Sequence, residues 1–180
     1  MFSKLILLAA MGTTIAKASV LNLANLRVCY EDEPTDLICY TEPDSVPQDV
    51  DIEDVAYIAA YLRAYGGETR LGRLFSMSAE ETPDCGEWTL YQRGTALAVA
   101  KHVDNTVDSS VLFRDIATTI DGGPNATPEE QEAAIMGCMS DGGSLGVLVD
   151  ESAPAYSNPS YYPEGYVTDG ILIKIVSSGA

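Results

Sequence analysis

Two strand-forming runs lie a single turn apart in the middle of the chain, and they restrict the fold more than any other feature. Glu87-Trp88-Thr89-Leu90-Tyr91 alternates and is rich in strand formers. Ala96 to Val103 is a largely apolar run, and Arg93-Gly94-Thr95 between the two carries the glycine of a tight turn. Strands joined this closely pair antiparallel, because a parallel pair needs a crossover of a dozen residues or more. Val28-Cys29-Tyr30 and Ile38-Cys39-Tyr40 predict a second hairpin over 26–41, around Asp32-Glu33-Pro34-Thr35-Asp36.

Helical signals fill the gaps. Asp51 is a cap, and Val55, Ile58, Ala59 and Leu62 follow at helical spacing until Gly66-Gly67. Asp108 or Ser109 caps a second helix with the apolar face Leu112, Phe113, Ile116, Ala117 and Ile120. Thr127-Pro128-Glu129-Glu130 opens a third with a capping box and proline at the first helical position. Ser144–Val149 and Gly170–Val176 are predicted strands, whereas Arg70–Asp84 fits a short helix or a packed loop. The resulting order, β-β-α-β-β-α-α-β-β, lacks regular βαβ alternation. It predicts an α+β fold: an antiparallel β-sheet with helices packed on one face and two disulfides.

The N-terminus predicts export. Lys4, the apolar run Leu5–Met11 and Ala16-Lys17-Ala18 form a signal peptide over 1–18, leaving 19–180 as one secreted domain. The apolar run is shorter than the roughly 20 residues a spanning helix needs, so no membrane insertion is expected. The chain has 10 Lys+Arg and 27 Asp+Glu; without Lys4 and Lys17 the balance is 8 − 27 = −19. Such a charge repels phosphate backbones and anionic lipid, which excludes nucleic acid as an expected partner.

Cys29, Cys39, Cys85 and Cys138 allow three pairings. The predicted hairpin favours Cys29–Cys39, leaving Cys85 for Cys138. A zinc site is weakly indicated, since no two cysteines have C-x-x-C spacing and His102 is the sole histidine.

Catalytic signals are sparse. His102 sits in an apolar strand beside Lys101, and no Gly-x-Ser-x-Gly elbow accompanies it. Asp115, Glu87 and Asp121 are candidate carboxylates for hydrolysis only because acids abound. Asp104-Asn105-Thr106-Val107-Asp108 alternates oxygen ligands as calcium loops do, without the glycine and distal Glu of an EF-hand. Asn125-Ala126-Thr127 is an N-glycosylation sequon. The stretch 154–168 stands out as a long loop carrying Tyr156, Tyr161, Tyr162 and Tyr166, residues suited to stacking on a sugar or anchoring a protein.

Thr82-Pro83-Asp84-Cys85, the strand at Trp88, Gly94-Thr95-Ala96-Leu97-Ala98, the segment Asp108–Ile120 and Gly137-Cys138 together resemble the secreted effector and necrosis-inducing proteins of fungi, whose core is similar to fungal killer toxins. That family usually has a cysteine where this chain has Ala96. The resemblance implies a secreted, non-enzymatic effector- or toxin-like protein that recognises a host, competitor or cell-wall target. The expected partner is an extracellular protein or glycan, and no cofactor is expected. An extracellular carbohydrate-binding module and a small carboxylate-dependent hydrolase are the alternatives.

Overall fold

A computed structural model describes residues 33–83 and 85–179. Strand β1 (Ile38–Cys39) precedes helix α1 (Ile52–Gly66), followed by β2 (Leu74–Met77), β3 (Glu87–Arg93), β4 (Ala96–His102) and β5 (Asp108–Leu112). Helices α2 (Phe113–Asp121) and α3 (Pro128–Glu132), a 3-10 segment Ile135–Asp141, and strands β6 (Gly143–Gly146), β7 (Tyr166–Val167) and β8 (Ile171–Ser177) complete the order. The fold is α+β, as expected, but the strands form two sheets. Five strands run β1-β6-β8-β4-β3, every pair antiparallel, and a mixed sheet runs β2-β5-β7 with β5 and β7 parallel.

The β3–β4 hairpin closes where the sequence predicts it, with Arg93 opposite Ala96. Gly94 is required there. Its φ is +45°, and a Cβ would lie 2.1 Å from Asp54 Oδ2, the oxygen that accepts Thr95 N–H at 2.9 Å. Asp54 thereby ties α1 to the hairpin turn. Alternation then sorts β4 and β8. Ala96, Ala98, Ala100, Ile171, Ile173 and Ile175 face α1 and α2 in one core with Ile58, Leu62, Ile116 and Ile120, all at most 2% exposed. The small alanines of β4 let the helices approach the sheet, while each buried isoleucine contributes about 1.5–3 kcal/mol.

Several expectations need correction. Of the hairpin predicted over 26–41, residues 26–32 lie outside the described residues; its described half, β1, pairs with β6, Ile38 opposite Ser144. Cys39 is bonded to Cys138, 99 residues away, which overturns both Cys29–Cys39 and Cys85–Cys138. The physical reason is the register: pairing of β1 with β6 seats Cys39 beside the turn that carries Cys138. Cys85 is disulfide-bonded as well, and Cys29 lies outside the described residues. Arg70–Asp84 contains strand β2 where a helix or loop is expected. Asp108 and Ser109 cap no helix; they open β5, and α2 begins at Phe113. The strand expected over 144–149 stops at Gly146. The capping box at Thr127 is present in full, yet α3 lasts only five residues before the 3-10 segment, which is kinked at Met139 with φ +54°.

Candidate functional site

The tyrosine-rich loop is fastened to the fold through its phenol groups. Tyr156 O–H donates to Asp115 Oδ2 at 2.6 Å and accepts Leu112 N–H at 2.8 Å. Tyr162 O–H donates to Ser110 O at 2.8 Å, and Tyr161 O–H donates to Gly72 O. Ala153 and Ala155 are buried against Leu112, with Tyr156, Tyr161, Leu71 and Leu74 packed around them. Tyr166 opens β7, and β7 pairs with β5. The loop is therefore an anchored strap. Burial pushes Tyr156 far above the ordinary phenol range, helped by the Asp115 carboxylate, and raises Tyr162 to about 12. Tyr166 is also raised, by burial and then by Asp108 and Glu81. The Tyr156 and Tyr162 hydroxyls stay protonated and act as donors.

Three of the four tyrosines nonetheless share a surface. Tyr156, Tyr162, Tyr166, Pro159 and Pro163 line an open cleft of about 640 Å³ with Glu164 at its edge. The rings of Tyr156 and Tyr162 meet edge to face at 5.5 Å, which fixes one wall. Tyr166 also lines a second, acidic pocket with Ser78, Glu80, Glu81 and Asp108. The two pockets thus adjoin at one ring, and no cation lines either. Tyr161 is directed away, into the contact with Gly72.

His102 is fully buried between the two sheets. Its Nδ1 lies 2.6 Å from Thr82 Oγ1, and its Nε2 lies 3.2 Å from Ser109 Oγ. Ser109 O–H donates to Asp169 O at 2.5 Å, so its hydrogen is used and Nε2–H must be the donor. Thr82 O–H donates to Ser78 O at 2.6 Å, so its one hydrogen is placed on that carbonyl while its oxygen faces Nδ1. Burial lowers the pKa of the ring against the opposing pull of Asp104 and Asp108. Ser109, fully buried with its proton committed, is no nucleophile.

No known protein family, characterised protein or solved structure matches this chain.

The other candidate residues are engaged separately. Asp121 takes a two-point ion pair from Arg63 at 2.5 and 3.0 Å, and Glu87 pairs with Lys174 at 2.7 Å. Asp115, 3% exposed, is raised by burial against the lowering effect of Tyr156. In the Asp104–Asp108 stretch, Asp104 accepts Thr106 N–H and O–H, Asn105 donates to Pro83 O, and Asp108 accepts Ala79 N–H. No group of three or more His, Cys, Asp or Glu side chains able to hold a metal occurs among the described residues. Asn125 is exposed, and Thr127 Oγ1 accepts Glu130 N–H at 3.3 Å within the capping box. No described helix is long and apolar enough to cross a membrane.

Two features were missed in the sequence. On the far face of the five-stranded sheet, Glu33 Oε1 accepts from Lys101 Nζ at 2.7 Å and from Lys174 Nζ at 3.0 Å. Burial alone would raise Glu33, but the two lysines outweigh it and hold the carboxyl low. The second is an aromatic stripe on α1: Tyr57, Tyr61 and Tyr65, four residues apart. Tyr61 stacks on Tyr91 of β3 at 3.8 Å. The four-residue spacing was legible as a second helical row beside the buried one.

Proposed function

We propose that this is a secreted, non-enzymatic recognition protein of effector or toxin type, and that the Tyr/Pro cleft is its contact surface. The observation that carries this reading is the shared ring of Tyr166. It joins a cleft walled by aromatic and proline side chains to a pocket formed by Glu80, Glu81 and Asp108. A ligand suited to both halves has an apolar or ring-shaped portion that stacks on tyrosine, followed by a cation that meets the carboxylates. An extended basic segment of an extracellular protein has that chemistry. The phenol anchors supply rigidity, so little conformational freedom is lost when the cleft is filled. The general acidity of the chain favours approach of a basic partner over an anionic one.

A carbohydrate-binding role is the second reading, favoured by the half-buried rings of Tyr162 and Tyr166 beside Pro163. The resemblance to the killer-toxin-like effectors of fungi agrees with either, since both act by surface recognition.

Calorimetric titration separates them. The probes are a proline-containing Lys/Arg peptide, the same peptide with glutamates in place of the basic residues, and a neutral oligosaccharide. Binding of the basic peptide alone, weakened about tenfold or more by Tyr166→Ala and by Glu81→Gln, supports the protein-partner reading. Oligosaccharide binding lost in Tyr166→Ala supports the second. Failure of all three probes, or binding indifferent to Tyr166, removes the cleft as the contact surface. Tyr161 and Tyr162 are poor choices for this test because their hydroxyls fasten the loop.

A further inference from the structure

From the α1 surface we infer that two copies of this chain associate through it about a two-fold axis near Tyr61. This does not rest on the cleft or on what the cleft binds. Helix α1 buries Val55, Ile58, Ala59 and Leu62 and leaves Tyr57 and Tyr61 45% and 38% exposed. Tyr61 stacks on Tyr91 and lies parallel to Tyr65, with ring centres 6.4 Å apart. Arg93 covers Tyr57 at 4.4 Å and approaches Asp54 at 3.7 Å. At the other end, Arg73 covers Tyr65 at 4.5 Å and pairs with Glu68 at 2.6 Å.

The stripe therefore has the same composition in both directions: a carboxylate and a guanidinium, three tyrosines, a guanidinium and a carboxylate. An isologous contact requires a surface complementary to itself, and a two-fold axis at its centre supplies the partner for each end. With two helices antiparallel, Tyr61 meets Tyr61, and the Asp54/Arg93 end of one copy faces the Arg73/Glu68 end of the other. Each guanidinium then has a carboxylate opposite. Within the stripe two acids and two cations cancel, whereas the whole chain carries −17. With exposed Glu53 beside it the face carries about one net negative charge on a strongly acidic molecule, so like-charge repulsion between copies is small there.

Geometry permits the approach. Ala56, Ala60 and Ala64 form an exposed row beside the tyrosines. Adjacent rows of small and large side chains supply the ridges and grooves through which two helices pack. Strand β3 lies at the edge of its sheet beside this face, but its register shifts between Thr89 and Tyr91. That irregularity disfavours strand-to-strand pairing and leaves side-chain packing as the mode of contact. The rings are pre-stacked, so association costs little side-chain freedom.

Sedimentation velocity of the full chain over a concentration series in buffered saline tests the inference. The sedimentation coefficient is expected to move from monomer to dimer in the micromolar range. Tyr61→Glu places like charges at the axis and weakens association at least about tenfold. Ala60→Glu carries the same test should Tyr61→Glu fail to fold. Val167→Glu, on β7 of the other sheet, leaves the dimer intact. A full chain that stays monomeric throughout, or folded α1 variants that associate as well as the wild type, overturns the inference.

Discussion

The loop over 154–166 and the α1 stripe are built from the same residue and put it to opposite uses. In the loop, the hydroxyls of Tyr156, Tyr161 and Tyr162 reach Asp115, Gly72 O and Ser110 O. On α1, Tyr57, Tyr61 and Tyr65 are held by ring stacking and by the arginines at either end. A phenol that finds a buried acceptor fastens the chain, and one held only by its ring remains a surface. The difference lies in what the backbone offers nearby. Irregular segments and strand termini leave carbonyls and amides that need partners, whereas a helix satisfies its own.

The contrast is sharpest in truncations. Tyr156→Ala removes a ring from the satellite core, strands Leu112 N–H and takes the shortest hydrogen bond from the buried Asp115. It should lower stability by about 3–5 kcal/mol, whereas Tyr57→Ala should cost less than about 1 kcal/mol. Urea unfolding measures both, and equal losses would erase the distinction. Removing only the hydroxyl isolates the cause. Tyr156→Phe should cost about 1–3 kcal/mol because two buried polar groups lose a partner, and Tyr61→Phe should stay within about 0.5 kcal/mol.

Acid offers a third way to separate the regions. His102, through Ser109, holds Asp169 close to β7 and the end of the loop. Its folded pKa lies below the ordinary 6.5, because burial disfavours the charged ring. The unfolded chain therefore takes up the proton first. Stability from this group is complete above about pH 6.5 and declines as pH falls through that value toward the folded pKa. Hydrogen exchange at 166–170 and β5 should accelerate on acidification before exchange in α1 does. Simultaneous acceleration would place the acid-sensitive group elsewhere. A small effect is expected at the stripe's end: Arg93→Gln loses a half-exposed cation–ring contact, about 0.5–1 kcal/mol by thermal unfolding.

Much of the fold was legible where local chemistry and packing agree. The β3–β4 hairpin, α1 and β8 follow directly from periodicity and the turn at Gly94. Strand β5 was hidden because its buried positions include Ser109 and Ser110, polar residues satisfied by partners on other elements, His102 Nε2, Asp169 O and Ser76 Oγ. The third helix has a strong start signal and no apolar face to continue it, so the capping box marks a beginning without a length. The cysteine pairing was read from a local hairpin, whereas the residue opposite Cys39 in β6 lies more than a hundred positions later. Of the candidate site, the four tyrosines were visible. That Tyr161 turns inward and that Glu80, Glu81 and Asp108 adjoin Tyr166 depends on long-range register and had no sequence signal.

Strand β8 pairs with β4 on one side and β6 on the other. It occupies the middle of the five-stranded sheet and is the last described strand to be synthesised. Until Ile171–Ser177 has been made, β4 and β6 have no neighbour between them and the core lacks its central isoleucines. The sheet therefore cannot assemble progressively as the chain elongates. A polypeptide emerging N-terminus first stays incomplete until Ile171–Ser177 slots into the gap, and a stop codon at Gly170 should yield a product cleared by proteases rather than a slightly weakened fold.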